Sequence, residues 1–183
     1  MPVGYRLVVH FRRAVSLISL ASAGLAAMGV LIVAGFIIYE IVLRTFFATS
    51  TFMMNEIVGY LVAAIGFLAL GHAFERGDIL RVSLLLQPLS RWPLARLVLE
   101  VVLVLATLAV TGFLISYFYG NVERQFTRGY TSGTMSNMPQ WIPTGMMLVG
   151  LVVFWLQVLA YGLGVALRQI PPSADPQAEA GVQ

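Results

Sequence analysis

The chain reads as an all-α integral membrane protein with four transmembrane helices, and two observations carry that reading. Residues 14–39, 101–122 and 129–167 hold no charged side chain, and residues 57–74 hold only His72. About 20 apolar residues span a hydrocarbon core roughly 30 Å thick, so each stretch is long enough to cross, the second only just. Of the 183 residues 59% are hydrophobic and 10% charged, with a mean hydropathy of +0.87, a composition that could not keep a soluble surface. Backbone groups in hydrocarbon must be bonded internally, and the sequence has neither the short alternation nor the turn spacing of a barrel, which leaves helices.

The first helix is expected over about residues 14–39. It runs on for 26 uncharged residues without a short apolar centre and small-residue cleavage site, so it reads as a retained helix and not a signal peptide. Ser19, Ala23 and Ala27 recur on it at four-residue intervals, and Gly59, Ala63 and Gly66 share a face of the second helix, expected over 56–74. Such strips let helix backbones approach closely in lipid, where dispersion drives association; ordinary Gly and Ala usage accounts for them equally well.

Residues 79–92 are too polar to cross. They place Val82, Leu85, Leu86 and Leu89 at i, i+3, i+4 and i+7, with Arg91 opposite Val82. That pattern describes an amphipathic helix lying in the interface, with Trp92 at headgroup depth and Pro93 opening the next span. The third helix is expected over 96–119, where Arg96 and Glu100 are spaced to pair while both reach the interface. Residues 120–140, rich in Gly, Ser, Thr and Asn, read as a loop before the fourth helix at 141–167. Residues 1–169 thus form a single membrane domain, and residues 170–183, with Pro171, Pro172 and Pro176, read as a disordered cytoplasmic tail.

Arginine supplies every positive side chain except histidine. Arg6, Arg12, Arg13, Arg76, Arg81, Arg91, Arg96 and Arg168 fall on one side of the expected membrane, against Arg44, Arg124 and Arg128 on the other. The positive-inside rule then places both termini in the cytoplasm. The basic pI near 9.6 is accounted for by juxtamembrane arginines facing anionic lipid, and no nucleic-acid motif is present.

The absence of cysteine removes disulfides, thiolate metal sites and cysteine nucleophiles. His10 and His72 have no partner at ligand spacing and read as interfacial side chains. No Gly-rich phosphate loop, Ser/His/Asp set or mid-helix carboxylate pair is visible, so no catalytic site, metal or cofactor is expected. Polar residues avoid the helix centres, and no buried polar site is expected. Glu40 and Arg44 end the first helix four residues apart and Glu56 opens the second. They read as an ion-pair cluster fixing the hairpin, with Arg44 and Glu56 sharing it; a coupling-ion site is the alternative.

Three stretches resemble the small membrane subunit of TRAP transporters (tripartite ATP-independent periplasmic transporters, DctQ-like). Residues 44–60 read RTFFATSTFMMNEIVGY, with Arg44 and Glu56 at the family's spacing, Ser50 where Pro is usual and Asn55 where the first of two acids is usual. Residues 75–85 read ERGDILRVSLL, similar to the family's second signature at Arg76, Gly77, Arg81 and Val82, with Ile79 and Ser83 in place of His and Asp. Residues 138–150 read MPQWIPTGMMLVG, similar to the entry to the family's last helix at Pro139, Trp141 and Gly150, with Leu148 where a second Pro is frequent.

The resemblance implies a non-catalytic partner in the bacterial inner membrane. It would scaffold a large Na⁺-coupled permease subunit (DctM-like) and help dock an extracytoplasmic solute-binding protein (DctP-like) that delivers a carboxylate-type solute. Two other classes remain. A homodimeric four-helix exporter would want an essential carboxylate mid-helix, and a redox anchor subunit would want paired haem-ligating histidines.

Overall fold

A computed structural model describes residues 3–51, 53–76, 93–134 and 136–166. They form α1 (Val3–Phe47), α2 (Met54–Arg76), α3 (Pro93–Thr127) and α4 (Trp141–Ala166). All four are long and apolar enough to cross a membrane. The only bridge pairing among the described residues is an isolated antiparallel contact of Thr131 with Pro139. The expected interfacial helix and the expected tail lie outside the described residues, as do Gly77 and Arg81.

The helices alternate in direction, which gives the bundle two ends. At the hairpin end α1 turns into α2 and α3 into α4. At the terminus end α1 begins and α4 finishes. Helix α4 is central: α1, α2 and α3 all pack on it, and α1 also packs on α2. The buried residues of α1, Val15, Ser19, Ser22, Ala26, Val33 and Glu40, recur at intervals of three, four or seven, one narrow seam on an otherwise lipid-accessible helix. Ser22 Oγ donates to the Leu68 carbonyl at 2.7 Å, tying α1 to α2. Trp155 Nε1 donates to the Leu108 carbonyl at 3.2 Å, tying α4 to α3 and satisfying an indole N–H that lipid could not.

The closest crossing is at Gly150. A methyl group there would lie 2.5 Å from the carbonyl carbon and oxygen of Phe67, so only glycine lets α4 meet the α2 backbone. At Gly162 an added methyl would meet Val104 of α3 at 2.7 Å. The strips expected from sequence are placed differently. Ser19 is fully buried, Ala23 is half-buried and Ala27 exposed, the seam passing instead through Ser22 and Ala26. On α2, Ala63 is half-buried while Gly59 and Gly66 are exposed, and a methyl added at either glycine meets nothing within 4 Å. Residues of α2 that meet neighbouring helices include Ala64, Ile65, Phe67, Leu68, Gly71 and Phe74.

Helix ends differ from the sequence expectation for one physical reason: hydropathy marks where lipid stops, not where helix stops. Helix α1 extends over 45 residues, about 67 Å at 1.5 Å per residue, well beyond residues 14–39. Residues 120–127, expected as loop, continue α3; Glu123, Arg124 and Gln125 are good helix formers, and Arg124 Nε donates to the Gly120 carbonyl at 3.1 Å. The helix stops at Gly129, whose φ of 62° supplies the left-handed turn. Gly129 N donates to Phe126 O at 3.4 Å and Tyr130 N to Gln125 O at 3.0 Å, the paired bonds of a Schellman motif.

Candidate functional site

Two carboxylates organise the hairpin end. Glu40, in the penultimate turns of α1, is only 8% exposed although its neighbours Tyr39 and Ile41 face outward. Its Oε1 accepts from Arg44 Nε at 2.9 Å and from Ser50 Oγ at 2.5 Å, and its Oε2 accepts from the hydroxyl of Thr51 at 2.5 Å and from the Thr51 backbone N–H at 3.4 Å. Arg44 Nη2 also donates to Ser50 Oγ at 3.3 Å. The connection after Phe47 is thereby folded back onto α1. The turn that allows this passes through Ala48 at φ 47°, a left-handed conformation that a Cβ disfavours.

Glu56 does the same for the other connection. Lying in the first turn of α2, where a carboxylate suits the helix N-terminus, it accepts from Tyr60 OH at 2.9 Å through Oε1. Through Oε2 it accepts from Ser136 Oγ at 2.7 Å and from the Thr134 hydroxyl. Ser132 Oγ lies 2.8 Å from both Thr134 Oγ1 and Ser136 Oγ, and Ser132 N donates to Met138 O at 2.9 Å, which closes the segment into a compact hydroxyl cradle. Phe126 and Trp141, which flank this segment in the chain, meet edge to face at 5.5 Å. Pro139 is exposed, and its carbonyl accepts from Ile142 N at 3.2 Å as α4 starts.

The structure therefore separates two residues that the sequence suggested would share a cluster. Arg44 pairs with Glu40, whereas Glu56 binds the loop before α4. The reason is supply: Glu56 finds three neutral hydroxyl donors, and Glu40 lies one turn from Arg44 on the same helix face. A cleft of about 490 Å3, lined by Glu40, Arg44, Ser50 and Asn55 among others, opens beside the first clasp. Signals for this layer exist in the sequence. Ser132, Thr134 and Ser136 alternate, so that they share one face of an extended segment, but nothing local says that Glu56 is their acceptor.

The terminus end is polar too, which corrects the expectation that this chain buries no polar site. Glu100, expected at the interface with Arg96, is 5% exposed and accepts from the Tyr161 hydroxyl on α4. Its Oε2 is buried without a hydrogen-bond partner, as is Oε1 of Gln157. His72 Nδ1 stands 3.7 Å from Glu75 Oε2. Arg76 ends α2 in an exposed position. Among the described residues no group of three or more His, Cys, Asp or Glu side chains is arranged to hold a metal ion.

The family described as tripartite ATP-independent periplasmic transporters, DctQ component, matches residues 33–166 of this chain. No curated protein and no solved structure matches it. The matched span begins within α1 and closes with the end of α4, so it takes in both carboxylate clasps and the Gly150 crossing.

Proposed function

This chain belongs to the DctQ component family of the tripartite ATP-independent periplasmic transporters, and from that premise we propose that it scaffolds a large Na⁺-coupled permease subunit and helps a solute-binding protein dock. In this reading the hairpin end faces away from the cytoplasm, both termini are cytoplasmic, the membrane is the bacterial inner membrane and the solute is a carboxylate. The observation that carries the reading is the hairpin end itself. Two carboxylates each fix one connection in place at the same end of the bundle, and ordered polar backbone is what a surface for a second protein requires.

The flanks support it as well. Leu17, Leu25, Leu31 and Ile38 on α1, and Val98, Leu105, Val110 and Phe113 on α3, are among many large apolar side chains left uncovered, surface on which a larger membrane subunit can pack. Arg44, Glu40, Glu56, Pro139 and Trp141 serve this role through the shape of the outer layer, and Gly150 through the crossing that sets it.

Reconstitution tests the proposal. With the large permease and binding protein in vesicles under a Na⁺ gradient, this chain should support accumulation of a carboxylate solute; alone it should accumulate nothing above empty vesicles. Robust transport by this chain alone would move the assignment to the homodimeric exporter class. Reporter fusions at Met1 and Gln183 that are active only outside the cytoplasm would reverse the orientation.

A further inference from the structure

A second cleft, also of about 490 Å3, opens at the terminus end between the start of α1 and the finishing turns of α2 and α4. Its wall is part apolar, with Val9 and Phe74, and part polar, with Arg12, Arg13, Glu75 and Gln157. The polar part is chemically incomplete. Gln157 is 8% exposed and its Oε1 has no hydrogen-bond partner. Glu75 Oε2 is buried without a hydrogen bond, its neighbour His72 Nδ1 standing beyond reach at 3.7 Å. Arg12 and Arg13 have no hydrogen-bond or ion-pair partner among the described residues. Buried acceptors without donors are costly, and paired guanidinium groups are made for phosphate.

The depth of the cleft narrows the class of ligand. Arg12 and Arg13 immediately precede the uncharged run that starts at residue 14, so they stand at the level of lipid headgroups, and Phe74 and Ala160, from the uncharged runs of α2 and α4, line the same cleft. We propose that this cleft holds the headgroup of a phospholipid, its phosphate on Arg12 and Arg13 and a primary ammonium donating to Glu75 and Gln157. A free anion would satisfy the arginines and leave both acceptors empty. A choline headgroup carries its cation without an N–H to give. The ammonium of an ethanolamine headgroup fills both needs, and a charge-assisted donor suits the carboxylate of Glu75 better than a glycerol hydroxyl does.

The test uses the full chain, with any bound partner, exchanged into lipid discs containing equal parts of phosphatidylethanolamine, phosphatidylcholine and phosphatidylglycerol, then released for native mass spectrometry. The wild type should retain a phosphatidylethanolamine molecule in preference to the other two. Arg12→Gln/Arg13→Gln should lower that retention at least about fivefold, the loss expected for even one of the two juxtamembrane cations it removes, and Gln157→Leu at least about fivefold as well, for the loss of one hydrogen bond to the ammonium. Arg124→Gln/Arg128→Gln, at the other end of the bundle, should leave it unchanged. Equal retention in the cleft variants, or a wild type that keeps no lipid and so holds only water there, overturns the proposal. Displacement of the lipid by millimolar inorganic phosphate overturns it in favour of a free-anion site. Equal retention of phosphatidylcholine overturns the role given to the ammonium. If circular dichroism shows that the double arginine variant does not fold, Gln157→Leu, which only removes an unpaired amide, decides the outcome.

Discussion

The two ends of this bundle treat their carboxylates in opposite ways. At the hairpin end Glu40 and Glu56 each accept three or more hydrogen bonds, and every donor comes from a connection or from the adjoining turn. At the terminus end Glu100 has one oxygen bonded to Tyr161 and one unpaired, and Glu75 and Gln157 each leave a buried oxygen without a hydrogen bond. A saturated carboxylate fixes backbone; a half-satisfied one is ready to take a further donor. The connections at the hairpin end are therefore held in place by this chain's own donors, whereas the terminus end keeps buried acceptors that no described residue satisfies.

The largest effect on that contrast should come from the crossing that both ends share. Gly150→Leu would push α4 off the α2 backbone at Phe67, loosening both ends together at a cost of about 3 kcal/mol or more. Gly66→Ala, where an added methyl meets nothing, should cost nothing and gain up to about 1 kcal/mol by the same reversible unfolding measurement in mild detergent, alanine being the better helix former. Equal effects would remove Gly150 from its role.

Next, one conservative substitution can be made at each end. Glu40→Gln should free the connection around Ser50 and Thr51 and raise its cleavage by added protease by roughly an order of magnitude, because local opening governs that rate. Glu100→Gln removes a buried charge whose second oxygen is unpaired, so it should cost nothing and gain up to about 1 kcal/mol in an unfolding titration. If both behave alike, the contrast between the ends fails.

Smaller effects sharpen the picture within the hairpin end. Arg44, whose side chain is 58% exposed, should lose less than about 1 kcal/mol when replaced by Ala. A double-mutant cycle should find coupling between Arg44 and Glu40 and none between Arg44 and Glu56; recovery on exchanging Arg44 with Glu56 would contradict the geometry. Ala48→Gly should stabilise by about 0.5 kcal/mol, the left-handed strain it relieves being partly offset by glycine's larger chain entropy. Thermal unfolding of the two chains side by side would detect it.

What was legible in the sequence divides along the same line. Charge-free runs located all four helices, because the cost of ions in hydrocarbon is paid residue by residue and leaves a local trace. Helix ends were not legible, since Arg12 and Glu123 are as content in a helix in water as residues 14–39 are in a helix in lipid. The Glu40–Arg44 pair follows from four-residue spacing alone. The bond from Glu56 to Ser136 does not, being set by how α3 and α4 place a loop 80 positions along the chain. Gly150 stood out as a family-like glycine, yet its partner on α2 is fixed only by the packing of two helices. Glu100 was misplaced for a related reason: Tyr161, which draws it inward, lies 61 residues away.

The clasp on Glu56 also has a consequence in time. Its acceptor opens α2, and its donor Thr134 is translated 78 residues later, roughly 4 to 16 seconds at ordinary ribosome speeds. Until then the new helix enters the membrane with its carboxylate held by Tyr60 and water alone. Closure on Thr134 and Ser136 must await α3 and the segment that leads into α4, so that contact reports that the first three helices have been threaded. A partner that recognises the closed clasp would pass over copies stalled before α3 is in place.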